Sequence, residues 1–289
     1  MNTLAGTGVA LVTPFTADGA VDYKGLKKLL SHTSKGVDYY VVMGTTGESV
    51  TTSKEEKKAI LEFVKANNRN QLPIVYGIGG SNTQEVLDNI KQADLRGVDA
   101  ILSVSPYYNK PSQEGIYQHF KTIASKSPVP IILYNVPGRT GSNMSASTTL
   151  RLAAHKNIIG IKEASGNMEQ CMKILADKPA DFMLISGDDM LTVSLYSMGA
   201  SGVISVLANA YPVIFKKMKI HAFAGQYAKA SQELFRLLDI NGPMYEEGNP
   251  VGIKFVLKEL GVCSEQVRLP LVTPSEGLKK KIQHAMKAI

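Results

Sequence analysis

Ile158-Ile159-Gly160-Ile161-Lys162-Glu163-Ala164-Ser165-Gly166 is an apolar, β-branched run stopped by one lysine and followed at once by small, turn-forming residues. It reads as a buried strand that delivers a single amine to a loop, which makes Lys162 a candidate nucleophile. For an arbitrary lysine the commoner reading is a solvated side chain at a strand end, so the surrounding pattern has to decide.

Working outward, the same pattern recurs. Short apolar runs at Gly8 to Val12, Tyr39 to Met43, Ile74 to Ile78, Ala100 to Val104, Ile131 to Tyr134, Ile158 to Lys162, Phe182 to Ser186 and Gly202 to Val206 predict eight strands. Their hydrophobicity is continuous rather than alternating, as strands buried on both faces require. Helical stretches with their own start signals separate them. Ser53-Lys54-Glu55-Glu56 is a capping box ahead of Ile60, Phe63 and Val64, Asn82 precedes Val86 and Ile90, and Ser112 leads into Ile116, Phe120 and Ile123. Eight such units predict an α/β fold of the closed (β/α)8, or TIM barrel, type. An open doubly wound sheet is the competitor, but no GxGxxG follows the first strand. Beyond Val206 the strands cease: Tyr211 to His221 serves as the eighth barrel helix, and Gln226 to Leu238, Val251 to Leu260 and Glu276 to Ala288 predict three more. We therefore expect a barrel over 1–224 and a C-terminal helical segment over 225–289, packed on the barrel because no Gly, Pro or Ser-rich linker precedes it.

Composition sets bounds on function. The 289 residues are 44% hydrophobic and 20% charged, ordinary for a globular chain long enough for a sizeable core. The net charge of +7 is scattered in groups such as Lys57-Lys58 and Lys279-Lys280-Lys281 on helical stretches. A solvated outer face accounts for it, so nucleic acid is not expected as a partner, only a mild pull on anionic metabolites. Cys171 and Cys263 stand far apart without a CxxC, and the five histidines are isolated, which argues against a disulfide framework or metal site. Met1 to Gly6 lacks a signal-peptide pattern and no run of about 18 apolar residues could span a bilayer, so a cytoplasmic location is expected.

Barrel chemistry belongs at the carboxyl ends of the strands. Those positions hold Gly44-Thr45-Thr46-Gly47-Glu48, Ser105-Pro106-Tyr107-Tyr108-Asn109, Tyr134-Asn135-Val136-Pro137-Gly138-Arg139-Thr140-Gly141, Lys162, Gly187-Asp188-Asp189 and the stretch through Ile204. The glycines around Thr45 and Thr46 would turn the backbone tightly and expose N–H and hydroxyl donors to a carboxylate, or form an ordinary turn. Tyr134 reads either as a core ring or as a proton carrier, and Arg139 as a solvated side chain or a bidentate fork for a carboxylate. Asp188-Asp189 could do acid/base work, but Asp189 stands where it would cap a helix running to Met198. No GxSxG elbow or P-loop appears. A lysine amine must shed its proton to attack a ketone, and an apolar strand offers the desolvation.

Together with Ser186-Gly187-Asp188-Asp189 and the Asn249-Pro250 and Arg268-Leu269-Pro270 segments, these motifs resemble the dihydrodipicolinate synthase family of the N-acetylneuraminate lyase superfamily, over nearly the whole chain. The resemblance implies a class I aldolase-type lyase that condenses pyruvate with L-aspartate 4-semialdehyde to 4-hydroxy-tetrahydrodipicolinate, in lysine and diaminopimelate biosynthesis. It implies a pyruvate imine on Lys162 with no other cofactor or metal, and proton relay by Tyr134, Thr46 and a neighbouring subunit's copy of Tyr108. Thr45 and Thr46 would hold the pyruvate carboxylate and Arg139 that of the semialdehyde, while the Gly187 and Ile204 backbones line the pocket. A homotetramer, as a dimer of dimers, is implied too. Other pyruvate aldolases, such as N-acetylneuraminate lyase or sugar-acid aldolases, share the lysine and the tyrosine; Arg139 and Thr46 favour the synthase. A non-catalytic pyruvate-sensing paralogue would be expected to have lost Lys162 or Tyr134. Lysine-regulated members bind their inhibitor at positions matching Ser49, Val50, Lys54, Lys57, Ser81, Glu85 and Tyr107. Lysines at 54 and 57, where polar or acidic partners are usual, predict weak feedback inhibition here.

Overall fold

The structure, a computed structural model, describes residues 4–289. The amino-terminal reading rests partly on Met1, Asn2 and Thr3, which lie outside the described residues. The eight strands are β1 (Gly6–Ala10), β2 (Tyr39–Val42), β3 (Ile74–Gly77), β4 (Ala100–Val104), β5 (Ile131–Asn135), β6 (Ile158–Glu163), β7 (Met183–Ser186) and β8 (Gly202–Ser205). They follow in sequence order as a closed barrel, the expected fold class. Nearly every strand residue is buried, the signature already visible in their unbroken apolar runs.

Within the barrel the chain falls into two compact units. The first is built on Pro73–Ile204 and contains β3 to β7 and most of β8. Its strands pair in parallel, with Val104 beside Tyr134, Tyr134 beside Lys162 and Lys162 beside Ile185. A register shift between Ile131 and Ile132 interrupts the β5–β6 ladder near its start. The helices Thr83–Gln92, Gln113–Lys126 and Met168–Asp177 each start on a side-chain cap, from Asn82, Ser112 and Asn167.

The second unit joins Gly6–Leu72 to Ser205–Ile289. Here β1 pairs with β2, and Ser53 opens the helix Lys54–Asn67 through the expected capping box with Glu56. The strand β1 begins and ends two residues before the predicted Gly8 to Val12. Leu11 still donates to the Val41 carbonyl, but the Val12 N–H turns to the Asn209 Oδ1 at 3.2 Å, so a distant side chain ends the ladder. Three of the helices after β8 run Pro212–Phe223, Val251–Glu259 and Glu276–Met286, close to prediction, whereas the predicted Gln226 to Leu238 divides into Tyr227–Phe235 and Leu238–Asn241. The described residues contain no helix long and apolar enough to cross a membrane.

Candidate active site

The first unit carries the lysine. Lys162 occupies the fifth of six positions in β6 and is 6% exposed. Its neighbour across the ladder is Tyr134, itself 7% exposed, and the Lys162 Nζ stands 4.4 Å from the centre of the Tyr134 ring. Among the described residues no carboxylate forms a salt bridge with Lys162. The face of the Tyr134 ring packs against the charged end of the Lys162 side chain.

One residue further along, the alternation of a strand sends the next pair of side chains to the opposite face. Glu163 is 2% exposed, and its carboxylate accepts from the Asn135 Nδ2 at 3.0 and 3.1 Å, the Gln170 Nε2 at 2.9 Å and the Ser165 N–H at 2.8 Å. Asn135 in turn accepts the Met144 N–H at 2.9 Å. The charge is held by amides alone, and because Asn135 and Glu163 are register partners the network ties the ends of β5 and β6 together just behind Tyr134 and Lys162. Burial, with the Glu163 charge adding to it, pushes the Cys171 thiol up to about 12, so that cysteine is an inert core group.

The Gly187 N–H donates to the Glu163 carbonyl at 2.7 Å, which seats the end of β7 against β6. A Cβ at Gly187 would lie 2.5 Å from that of Ala164, so only glycine fits there. Ile204 is buried in β8. Asp189 does not cap a helix as expected: the helix spans Thr192–Ser197 with Leu191 at its N-cap, and it is Asp188 whose carboxylate accepts the Met190 N–H. Arg139 is exposed in a helical turn over Pro137–Thr140, with its guanidinium free of any described carboxylate. Tyr108 is 92% exposed on a left-handed backbone, φ +71°. Beside it, Ser81 and Tyr107 are brought together, the Ser81 hydroxyl donating to the Tyr107 carbonyl at 2.7 Å and its oxygen accepting the Tyr107 N–H at 3.1 Å. Glu85 is exposed on the helix that follows.

The second unit carries the threonines. Thr45–Gly47 form one 3₁₀ turn after β2, with Thr45 exposed and Thr46 buried. As the first residues of that turn they have no earlier carbonyl within it for their N–H groups to bond. The left-handed positions here are Met43 (φ +60°) and Glu48 (φ +54°), not the glycines. At Gly47 space is tight instead, since a Cβ there would sit 3.2 Å from the Leu11 carbonyl oxygen. Glu48 makes a buried ion pair with Lys254, whose Nζ lies 2.5 Å from the Glu48 Oε1 and 2.7 Å from the Gln266 carbonyl. The other Glu48 oxygen accepts the Arg268 N–H at 3.0 Å. The Asn249 Nδ2 donates to the Thr46 hydroxyl oxygen at 3.0 Å. Of the remaining positions singled out in this unit, Ser49 is half-buried, Lys57 is half-buried, and Val50 and Lys54 are exposed.

Residues 3–289 match the family described as Dihydrodipicolinate synthetase. The chain belongs to that family. Within it, the chain is 54% identical to the 4-hydroxy-tetrahydrodipicolinate synthase of Cytophaga hutchinsonii over 286 residues, covering 99% of this chain and 96% of that one. Among solved structures, the dihydrodipicolinate synthase of Acinetobacter baumannii, a chloride-inhibited form complexed with pyruvate, is 38% identical with a TM-score of 0.95, covering 99% of this chain and 98% of that one. The enzyme from Cyanidioschyzon merolae, with lysine bound, is 37% identical with a TM-score of 0.95, covering 100% and 99%. These family relatives bear the synthase name, not that of a sialic acid lyase or a sensor.

Asn135, Glu163, Asn249 and Lys254 support the strand ends and were not singled out from the sequence. For two of them a signal existed: in a strand buried on both faces, a Glu or Asn next to an inward lysine or tyrosine must bury its polar head on the other side and find donors there. A groove of about 710 Å³ in the first unit, lined by Leu87, Ile90, Lys91, Arg96 and Pro128 among others, contains none of the candidate residues. Among the described residues no cluster of His, Cys, Asp or Glu is arranged to hold a metal ion.

Proposed function

We propose that the chain acts as a 4-hydroxy-tetrahydrodipicolinate synthase through an imine between pyruvate and Lys162. The observation that carries this is the buried Lys162 amine, without a counter-ion, against the ring of Tyr134 at the carboxyl ends of adjacent strands. The amine attacks the pyruvate ketone and water leaves, giving a protonated imine. Loss of a methyl proton converts it to the enamine, whose carbon attacks the aldehyde of L-aspartate 4-semialdehyde, and the new alkoxide takes up a proton. The amino group of the former semialdehyde then attacks the imine carbon, and its ring closure displaces the Lys162 amine. The protonated imine is itself the electron sink, so no metal or further cofactor is required.

Tyr134 and Thr46 relay protons, the buried phenol standing beside the reacting nitrogen. Thr45 and Thr46 offer first-turn N–H and hydroxyl donors to the pyruvate carboxylate, and the free guanidinium of Arg139 suits the semialdehyde carboxylate. The Gly187 and Ile204 backbones line the pocket. Tyr108, extended into solvent on a left-handed turn, serves a neighbouring copy in a homotetramer built as a dimer of dimers. Ser49, Val50, Lys54, Lys57, Ser81, Glu85 and Tyr107 form a regulatory site weakened by its two lysines. We divide the chain functionally into a barrel, 1–224, and a helical segment, 225–289, and place the enzyme in the cytoplasm with its two free cysteines reduced.

Borohydride reduction in the presence of pyruvate tests the chemistry: a stable mass adduct on Lys162 is expected, and its absence removes the imine mechanism. Turnover with pyruvate and aspartate semialdehyde, run beside N-acetylneuraminate cleavage, tests the substrate. Faster cleavage of the sialic acid would overturn the synthase reading.

A further inference from the structure

The C-terminal segment reaches the proposed proton relay at one atom. Asn249 is 9% exposed, and its Nδ2 donates to the Oγ1 of Thr46, a hydroxyl that is itself buried. A hydroxyl has one proton to give and lone pairs to receive. With one lone pair occupied by the Asn249 N–H, the Thr46 proton has to point away from Asn249, and a hydroxyl that accepts a hydrogen bond becomes the stronger donor. Among the described residues the buried Asn249 Oδ1 has no hydrogen-bond partner. The amide is thus committed on its nitrogen side while its oxygen goes unsatisfied, an arrangement that core packing alone does not favour.

The donor and the hydroxyl are held at this separation by a second link between the same two segments. Glu48, two residues after Thr46, pairs with Lys254, five residues after Asn249, and its other oxygen accepts the Arg268 N–H. The turn bearing Thr46 is therefore pinned to the segment bearing Asn249 at two points.

We infer that Asn249 is a positioning residue for catalysis, setting the direction of the Thr46 hydroxyl proton through its side-chain N–H. This rests on the relay role given to Thr46 above. Asn249 acts through the Thr46 hydroxyl alone and leaves untouched the Thr45 hydroxyl and the two backbone N–H groups proposed to hold the pyruvate carboxylate, so removing it slows proton transfer and leaves pyruvate binding nearly unchanged.

The test is a double-mutant cycle in steady-state turnover with pyruvate and aspartate semialdehyde, using Asn249→Ala, Thr46→Val and the double variant, with thermal unfolding of each. Asn249→Ala is expected to lower kcat about tenfold, the worth of one hydrogen bond to the reacting hydroxyl, with KM for pyruvate within about twofold. In the Thr46→Val background the same change has no further effect on kcat. Asn249→Asp keeps the shape but replaces the donor with a carboxylate that accepts the Thr46 proton and turns it aside. It is expected to fall at least as far as Asn249→Ala at pH 9, which keeps the inference testable if the alanine variant folds poorly. An equal loss from Asn249→Ala with and without the Thr46 hydroxyl assigns the residue to structure and overturns the inference. So does an Asn249→Asp enzyme with full kcat, or an undiminished Asn249→Ala beside an impaired Thr46→Val. Full activity of Thr46→Val would overturn the relay role of Thr46, and this inference with it, while the borohydride adduct on Lys162 reports the imine separately.

Discussion

Replacing Lys254 by methionine should destabilise the protein by more than any surface change can. Lys254 is fully buried on the helix Val251–Glu259, its ammonium 2.5 Å from Glu48 Oε1, 2.7 Å from the Gln266 carbonyl and 4.2 Å from the centre of the Phe15 ring. Burial pushes its proton affinity below the usual lysine range, and the Glu48 carboxylate pulls it back. Methionine fills similar space but takes the ammonium away from that carboxylate, leaving it the Arg268 N–H and the longer-range pull of the Arg268 guanidinium. An uncompensated buried charge of this kind costs about 3–5 kcal/mol. The double variant Glu48→Gln/Lys254→Met removes both charges and should recover at least about 2 kcal/mol of the loss, because the penalty belongs to the orphaned ion and not to the missing pair. The chain has no tryptophan, so urea unfolding is followed by far-UV circular dichroism. The midpoint should fall in Lys254→Met without a change in slope and rise again in the double variant. A Lys254→Met protein within about 1 kcal/mol of the parent, or a double variant as unstable as the sum of the singles, would falsify the assignment of a buried charge pair here.

Four further outcomes follow from the site and its surroundings. Tyr134→Phe should lower kcat by about a hundredfold or more, as loss of a proton carrier does, while the borohydride-trapped adduct on Lys162 still forms; an unimpaired kcat removes Tyr134 from the relay. Arg139→Ala should raise KM for aspartate semialdehyde more than about tenfold with KM for pyruvate little changed, and equal effects on both substrates would show that the arginine does not recognise the second carboxylate. The Arg268 side-chain hydrogen bond holds Glu56 well below its ordinary 4.5, at about 2, so their pair stabilises the fold above the ordinary value and the contribution fades as pH falls towards about 2. Because the pair is partly exposed, Glu56→Gln should cost about 1 kcal/mol at pH 6 and almost nothing at pH 2, and a cost independent of pH would contradict the ion pair. Finally, half-inhibition by L-lysine should need more than about 1 mM, given two cations at Lys54 and Lys57 beside a cationic ligand; tighter inhibition would mean that these side chains turn aside.

Glu163 shows how a residue can be quoted in a motif and still be misjudged. From the sequence it merely follows the nucleophile; in the fold it is a buried anion satisfied by Asn135, Gln170 and the Ser165 backbone, clamping the strand ends that carry Tyr134 and Lys162. Asp189 shows the opposite error. A helix start two residues later than expected leaves the capping-type bond to Asp188, because the chain turns before it coils. The glycines of Gly44-Thr45-Thr46-Gly47 are expected to let the backbone turn tightly, yet the left-handed positions there are Met43 and Glu48.

What the sequence by itself determined is whatever short windows encode. Eight unbroken apolar runs, capping side chains at Ser53, Asn82 and Ser112, and strand-end motifs with one lysine, one tyrosine and a threonine pair sufficed for the barrel, the family and the candidate chemistry. Each of these signals repeats or lies within a turn or two of chain, where backbone geometry alone sets which side chains meet. Only the tertiary structure decided that Lys254 neutralises Glu48 across 206 residues and that Asn249 donates to Thr46 across 203. Such pairs are single polar residues with no periodicity and no fixed spacing, and what selects them is the need of a buried group for a partner, which arises only once the chain has folded around it.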